Sequence, residues 1–154
     1  INNKDKGISV GTEEFGPSTN ITIENNVIIG NNIGVGIKDS SYCTIKNTSF
    51  INNNTAIHAY LKNNWVRHTI GGNAKATDCV FYKNKNISYC DEKSSNQIDN
   101  SISNDKAIVG NNNQTTSITF TNMDNHNYNT TNGLGAHIDE QLIAKLNKYL
   151  NNTN

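Results

Sequence analysis

The sequence predicts an all-β solenoid: a right-handed, single-stranded parallel β-helix of about five coils, followed by a C-terminal amphipathic α-helix. Three observations predict the solenoid: a repeat of about 22 residues, short apolar strands within each repeat, and Asn-rich turns between them. The right hand follows from the general rule for parallel crossover connections. The 154-residue chain contains 31 Asn, and its 19 Ile outnumber its 5 Leu. Ile favours strands and Asn tolerates left-handed turns, so this composition indicates many short strands joined by tight turns.

The repeat is clearest when residues 21–41 are aligned with residues 43–63. Apolar residues then coincide with apolar residues, and Asn31 coincides with Asn53. Leucine-rich repeats have a similar length, but five Leu are too few to form their Leu ladders. In a parallel β-helix, equivalent residues of successive coils stack about 4.8 Å apart. We therefore predict these apolar stacks: Ile23 on Ile45, Ile28 on Phe50, and Val35 on Ile57.

The same alignment predicts the interior and two polar stacks. Apolar residues at inward positions should be buried, and Asn residues at equivalent turns should hydrogen-bond to one another. The predicted core consists of Ile23, Ile28, Val35, Ile37, Ile45, Phe50, Ile57, Phe81 and Ile98. The predicted Asn ladders are Asn31, Asn53 and Asn84, and Asn25, Asn47 and Asn100.

The repeat pattern divides the chain into three parts. Residues 1–122 are expected to form the β-helix, interrupted by an insertion loop at 63–75, and residues 123–136 a loop. Residues 137–150 change to helical spacing, with acidic residues in the first turn and lysines in the last, which suits the helix dipole. We expect this helix to pack on the solenoid as an end cap, because solenoids need capped ends.

Three stretches carry a resemblance to a known family. They are 5–11 (DKGISVG), 36–41 (GIKDSS) and 56–63 (AIHAYLKN). This pattern resembles the right-handed parallel β-helix repeat family of the pectin-lyase-like superfamily, over about Lys6 to Phe120. It is also similar to β-helix regions of secreted bacterial proteins associated with spore-coat-H-type surface proteins. The resemblance implies an extracellular, periplasmic or cell-surface location, but it fixes no activity because the superfamily contains lyases, hydrolases, epimerases, adhesins and spacers.

Composition excludes several classes of function. The formal net charge is zero, which argues against a nucleic-acid partner, since phosphate binding needs an excess of Lys and Arg. No apolar run is long enough to cross a membrane. The sequence shows no metal-binding motif and indicates no cofactor. Three Cys allow one disulfide with a free thiol, or three thiols. The absence of an initiating Met favours a piece of a longer chain with flanking domains.

Strand alternation predicts one outward face with reactive side chains. If Val35 and Ile37 point inward, Gly36 and Lys38 point outward, and His58 and Tyr60 occupy the same positions one coil later. Ser9 and Gly11 occupy them one coil earlier. We therefore expect Lys38, His58 and Tyr60 to cluster, with small residues at 9, 11 and 36 extending the face into a shallow groove.

The insertion at 63–75 lies directly after this strand and carries Trp65, Arg67 and His68. Trp65 and Tyr60 can stack on sugar rings, so Tyr60, Trp65, Arg67 and His68 are the candidate ligand-binding residues. This favours an exported β-helix module of a larger bacterial surface or secreted protein, acting as a polysaccharide-binding domain or a spacer. The alternative is a polysaccharide lyase or epimerase acting on uronates. Its candidate catalytic residues are Lys38, His58, Tyr60 and Arg67: a base for the carbon-bound proton and a cation for the carboxylate.

Overall fold

The computed structural model describes residues 1–11, 17–62 and 69–151, with the Asn151 side chain left out. In this part of the chain, parallel strands form three sheets, and a short antiparallel hairpin and one helix follow them. From β1 to β12 the chain passes through the three sheets in turn, and each of the four rounds adds one strand to every sheet. β13 then adds a fifth strand to the third sheet alone. This is the arrangement expected of an all-β parallel solenoid.

The strands are short, with two to six residues each. In the first sheet they are β1 (Lys6–Val10), β4 (Ile33–Lys38), β7 (Thr55–Tyr60) and β10 (Asn86–Cys90). The second contains β2 (Ile21–Glu24), β5 (Tyr42–Lys46), β8 (Asn73–Thr77) and β11 (Ser95–Asp99). The third contains β3 (Val27–Ile29), β6 (Ser49–Ile51), β9 (Val80–Tyr82), β12 (Ile102–Ser103) and β13 (Gln114–Thr115).

The strand register confirms the repeat. Every apolar stack that the alignment predicted is a register pair of neighbouring parallel strands: Ile23 with Ile45, Ile28 with Phe50, and Val35 with Ile57. All nine predicted core residues are buried, from Ile23 at 6% exposure to Phe50 at 0%. The Phe50 and Phe81 rings stack in the interior with centroids 5.2 Å apart and planes inclined by 5°. Burial raises the pKa of the Cys43 thiol to about 11 and that of Cys79 to about 12. All three cysteines are free thiols, and Cys90 is exposed.

Asn contributes to the turns in two ways. The first is the predicted ladder: Asn31 Nδ2 donates to Asn53 Oδ1, and Asn53 Nδ2 donates to Asn84 Oδ1, both over 3.0 Å. The backbone N–H of Asn31 also donates to Asn53 Oδ1, and that of Asn53 donates to Asn84 Oδ1, both over 2.9 Å. These side chains are almost fully buried, so the ladder satisfies polar groups that would otherwise destabilise the interior.

The second predicted ladder is wrong. Asn25, Asn47 and Asn100 stack at equivalent positions, but as turn residues with positive φ angles of 57°, 43° and 49°. Asp78, with a φ of 56°, occupies the equivalent turn between Asn47 and Asn100. Asn25 uses its amide elsewhere, accepting from His137 N over 2.6 Å and donating to His137 O over 2.8 Å. Asn100 Oδ1 accepts from Asn112 Nδ2 over 3.1 Å, but no hydrogen bond between described residues joins the amides of Asn25, Asn47 and Asn100 to one another. Tolerance of the left-handed backbone therefore explains Asn at these turns.

Residues 123–136, predicted as a loop, contain secondary structure. Strand β14 (Phe120–Asn122) pairs antiparallel with β15 (Asn127–Thr130), and a 3-10 helix (Met123–Asn125) joins them. Aromatic side chains of the hairpin pack against the third sheet. The Phe120 ring packs edge-on against Tyr82 at 5.1 Å, and Tyr128 packs against Phe120 at 6.3 Å. The Asn- and Thr-rich composition concealed this aromatic pairing.

The chain after the hairpin runs back across the outward side of the third sheet. Gly135 lies so close to β6 and β9 that a β-carbon there would be 2.5 Å from Ser49 Oγ and 2.7 Å from Val80 Cγ2. Ala136 N donates to Ser49 Oγ over 2.9 Å. Helix α1 (Glu140–Asn151) then lies beside β3, where Leu142 and Leu146 line a cavity of about 290 Å³ with Val27 and Ile29. The helix therefore lies near the first strands of the solenoid. No helix in the described residues is long and apolar enough to span a membrane.

Candidate functional site

The outward side of the first sheet brings together the residues that alternation predicted. Gly36 pairs in register with His58, and Lys38 with Tyr60. The next strand adds Tyr89, which pairs with His58. Val35, Ile37 and Ile57 are fully buried while His58 and Tyr60 are half-buried, so the predicted inward and outward assignment is correct on β4 and β7. We call the outward side chains Lys6, Lys38, His58, Tyr60 and Tyr89 the aromatic face.

Three rings form a continuous cluster on this face. The His58 ring lies 4.7 Å from Tyr60, tilted by 41°, and 5.1 Å from Tyr89, in an edge-on arrangement at 75°. Both contacts are within the range of favourable ring pairs. Tyr89 remains 58% exposed. The cluster therefore combines fixed ring positions with accessible aromatic surface, which is what a stacking platform requires.

The groove predicted across Gly11 and Gly36 is filled at Gly36. A β-carbon at Gly36 would lie 2.9 Å from Lys6 Cδ, so the Lys6 side chain fills the space above this glycine. Gly11 lies in a turn, where its β-carbon would be 2.6 Å from Lys38 O. The Lys6 side chain is only 19% exposed and its ammonium contacts Asp5 Oδ1 over 2.6 Å. Lysine methylenes and aromatic rings thus form a platform, since a long lysine side chain can cover a surface while keeping its charge at the edge.

Asp91 fixes the chain directly after Tyr89 and Cys90. Its Oδ2 accepts from Leu61 N over 2.6 Å, and its Oδ1 accepts from Ser94 Oγ over 2.7 Å and Lys93 N over 3.0 Å. Partial burial alone would raise the pKa of Asp91, but these hydrogen bonds outweigh it and the net shift is downward. Asp91 is therefore a carboxylate at neutral pH, and it links the end of β10 to the residue that follows β7.

Burial favours the uncharged forms of His58 and Tyr60. It lowers the pKa of His58 below 6.5, with Lys6 acting in the same direction and Asp91 opposing it. Burial also raises the pKa of Tyr60 above 10, although Lys6 and Lys62 oppose this shift. At neutral pH, His58 is therefore a neutral imidazole that can accept a proton, and Tyr60 is a neutral phenol.

The predicted site residues fall into two groups. Lys38, His58 and Tyr60 lie on adjacent strands of one face, as expected. Trp65, Arg67 and His68 lie outside the described residues. Three further residues belong to the site and were not predicted: Lys6, Tyr89 and Asp91. Tyr89 was missed because the insertion lengthens the spacing from His58 to 31 residues, so the alignment at 22 does not pair them. An Asn-to-Asn alignment across the insertion, Asn53 with Asn84, gives the correct spacing.

The site holds no visible metal-binding set: in the described ranges, no group of three or more His, Cys, Asp or Glu side chains lies close enough to hold an ion. Comparison of the chain with protein-family models, with curated proteins and with solved structures finds no match.

Proposed function

We propose that this chain is a polysaccharide-binding module, and that the aromatic face is where the glycan lies. The observation that carries the proposal is the ring cluster of His58, Tyr60 and Tyr89 beside the Lys6 side chain. Sugar rings present apolar faces and hydroxyl edges, so they suit aromatic rings flanked by charged groups. The strands of the first sheet lie side by side, which extends the platform across several register pairs and suits a linear polymer.

Affinity electrophoresis tests the proposal. Alginate, pectate and glycosaminoglycans are cast separately into native gels, and the retardation of the protein is measured against polymer concentration. Tyr60→Ala and Tyr89→Ala should each weaken binding by about tenfold or more, corresponding to about 1.4 kcal/mol. Tyr42→Ala is the matched control, because Tyr42 is 40% exposed but lies on the second sheet. Equal effects of all three substitutions, or no retardation by any glycan, would contradict the proposal and leave a spacer role.

A uronate lyase or epimerase is the second candidate, and the neutral His58 favours it. Elimination needs a base that is unprotonated at working pH, and the lowered pKa of His58 supplies one. Tyr60 does not suit this role, because its pKa is raised. The lysines Lys6 and Lys38 are the cations available on the described face. Ultraviolet absorbance of an unsaturated product, lost in His58→Gln, would identify the lyase. A product that contains an inverted uronate and no new double bond, detected by proton NMR, would identify the epimerase.

We also propose that the solenoid is a right-handed β-helix of about five coils, related to the pectin-lyase-like superfamily. Parallel crossover connections are right-handed in nearly all known sheets, which supports the handedness. The proposed setting is an exported module within a larger bacterial surface or secreted protein. An experimental structure tests the handedness, and a secretory signal sequence encoded upstream in the complete gene tests the export.

A further inference from the structure

A second cavity lies at the end of the solenoid, where β10 contributes the inward Ser88 and not the outward Tyr89. It has a volume of about 370 Å³ and lies among β10, β11 and residues 106–109. β10 is the last strand of the first sheet and β11 the last of the second, so the cavity is where stacking of these two sheets ends. Its volume is within the range of small-molecule binding sites, about 300–1,000 Å³. Nothing in the glycan-binding proposal depends on it.

The interior changes from apolar to polar at this cavity. On β10, Ser88 takes the place that Val35 and Ile57 occupy on the earlier strands. On β11, Asn96 takes the place of Cys43 and Ala74. Asn96 Nδ2 donates to Ser88 Oγ over 2.8 Å and to Tyr89 O over 3.0 Å. Ser88 Oγ therefore accepts one hydrogen bond, and its O–H can donate to a bound molecule.

The Asn96 amide also leaves an unsatisfied group beside the cavity. Asn96 Oδ1 is buried and has no hydrogen-bond partner among the described residues. A buried acceptor without a partner destabilises a fold, and a ligand that only accepts hydrogen bonds leaves this oxygen unpaired. Both Asn96 and Ser88 line the cavity. Ser88, whose hydroxyl is held by Asn96 Nδ2, is therefore the group of this pair that can donate to a ligand.

The rest of the wall is apolar, with positive charge at its rim. Ile87 and Ile98 are buried, Ile108 packs against the core, and Val109 is 94% exposed at the edge. The rim carries Lys85 and Lys106. The Lys106 ammonium contacts Asp105 Oδ2 over 2.8 Å, which uses one of its three donors. Lys85 and Lys106 carry two positive charges and Asp105 carries one negative charge, so these three groups leave a net positive charge beside the apolar wall.

We propose that this cavity binds a small amphipathic carboxylate. The apolar part of the ligand contacts Ile87, Ile98 and Ile108, and its carboxylate accepts hydrogen bonds from Lys106 and Lys85. The Ser88 O–H donates to a polar oxygen on the same ligand. Charge complementarity selects an anion over a cation of the same shape, and the apolar wall selects against small inorganic anions.

An NMR titration tests the proposal with three probes of one shape: 3-phenylpropionate, 3-phenylpropanol and 3-phenylpropylamine. The carboxylate should give saturable amide shifts confined to β10, β11 and residues 106–109, with affinity about tenfold or more above that of the amine. Non-saturable shifts, shifts centred elsewhere, or equal affinities for the three probes would overturn the proposal. Binding of glycan to the aromatic face is measured separately, so either result stands without the other.

Substitutions separate the cavity from general charge effects. Lys106→Glu should weaken 3-phenylpropionate binding by about tenfold or more, while Lys4→Glu, with the same change in charge near the N-terminus, should leave it unchanged. Ala107→Trp places a large ring in the cavity wall and should abolish binding without loss of the dispersed amide spectrum. Equal weakening by Lys106→Glu and Lys4→Glu, or full binding by a folded Ala107→Trp protein, would overturn the assignment.

Discussion

The outward side of the third sheet is covered, whereas that of the first sheet is accessible, although both sheets belong to the same repeat. On the third sheet, Ser49, Ile51 and Val80 are all fully buried, and the segment around Gly135 lies against two of them. On the first sheet, Tyr89 is 58% exposed, and His58 and Tyr60 are half-buried. The solenoid therefore covers one outward side with its own C-terminal segment and leaves another accessible in the described part of the chain.

The difference follows from side-chain chemistry along the strands. Three of the five strands of the third sheet read VII, SFI and VFY, so apolar residues occupy outward as well as inward positions there. Such strands need cover on both sides, because exposed apolar surface is unfavourable. On the first sheet the outward positions carry lysine, histidine and tyrosine, which tolerate water. The exposed side is thus the one with the chemistry to bind a polar ligand.

The largest expected effect is at the interior that both sides share. Phe50→Ala should lower the free energy of unfolding by about 3–5 kcal/mol, because it removes a fully buried ring stacked on Phe81. Urea denaturation followed by circular dichroism measures the change. A loss below about 1 kcal/mol would place Phe50 at the surface and invalidate the register.

The next effect separates the two outward sides directly. Ile51→Ala should cost about 2–5 kcal/mol, as an internal substitution does, because this outward side chain is fully buried. Tyr89→Ala removes a larger side chain but should cost less than about 1 kcal/mol, because most of it is in water. Equal costs in urea denaturation would mean that the two sides do not differ in cover.

A smaller effect isolates the contact between the C-terminal segment and the third sheet. Gly133 and Gly135 have positive φ angles of 76° and 80°, so alanine is strained at both. A β-carbon at 133 meets nothing within 4 Å, whereas one at 135 meets Ser49 and Val80. Gly133→Ala should therefore show only the backbone cost of about 1 kcal/mol, and Gly135→Ala should lower the melting temperature further. Equal melting temperatures would show that the segment does not lie on the sheet.

The sequence predicted the interior well because the interior repeats. Ile23, Ile28 and Val35 recur at a constant offset, and constant register is what parallel stacking imposes. The cover of the third sheet was missed because it depends on residues 49 and 135, which no period relates. The signal was present, however: Ile51 and Val80 are apolar at positions where strict alternation calls for polar residues.

The candidate site was predicted only as far as the repeat extends without interruption. Alternation placed Lys38, His58 and Tyr60 correctly, because β4 and β7 are separated by a regular repeat. Tyr89 lies beyond the insertion, so an alignment at a fixed offset of 22 residues does not pair it with His58. The position of the Lys6 side chain over Gly36 depends on side-chain packing, which a linear pattern does not contain.

The smallest expected effect is a pH dependence that belongs to the exposed side. Burial lowers the pKa of His58, so the folded state disfavours its protonation. The contribution of His58 to stability is fully present above its unfolded pKa of about 6.5 and is lost as the pH falls through the lower folded pKa. Urea denaturation from pH 7 to pH 5 should show a smaller loss of stability in His58→Gln than in the parent. The other histidines are common to both proteins, so an identical pH slope would contradict the burial of His58.

Hydroxyl-radical footprinting with mass spectrometry tests the contrast between the two sides most directly. Tyr89 and Tyr60 should be oxidised fast in the free protein, and Tyr128, which is 8% exposed behind the third sheet, slowly. A saturating concentration of the glycan that retards the protein should protect Tyr89 and Tyr60 and leave the slow rate at Tyr128 unchanged. Fast oxidation of Tyr128 in the free protein, or glycan protection that spares Tyr89 and Tyr60, would contradict the account.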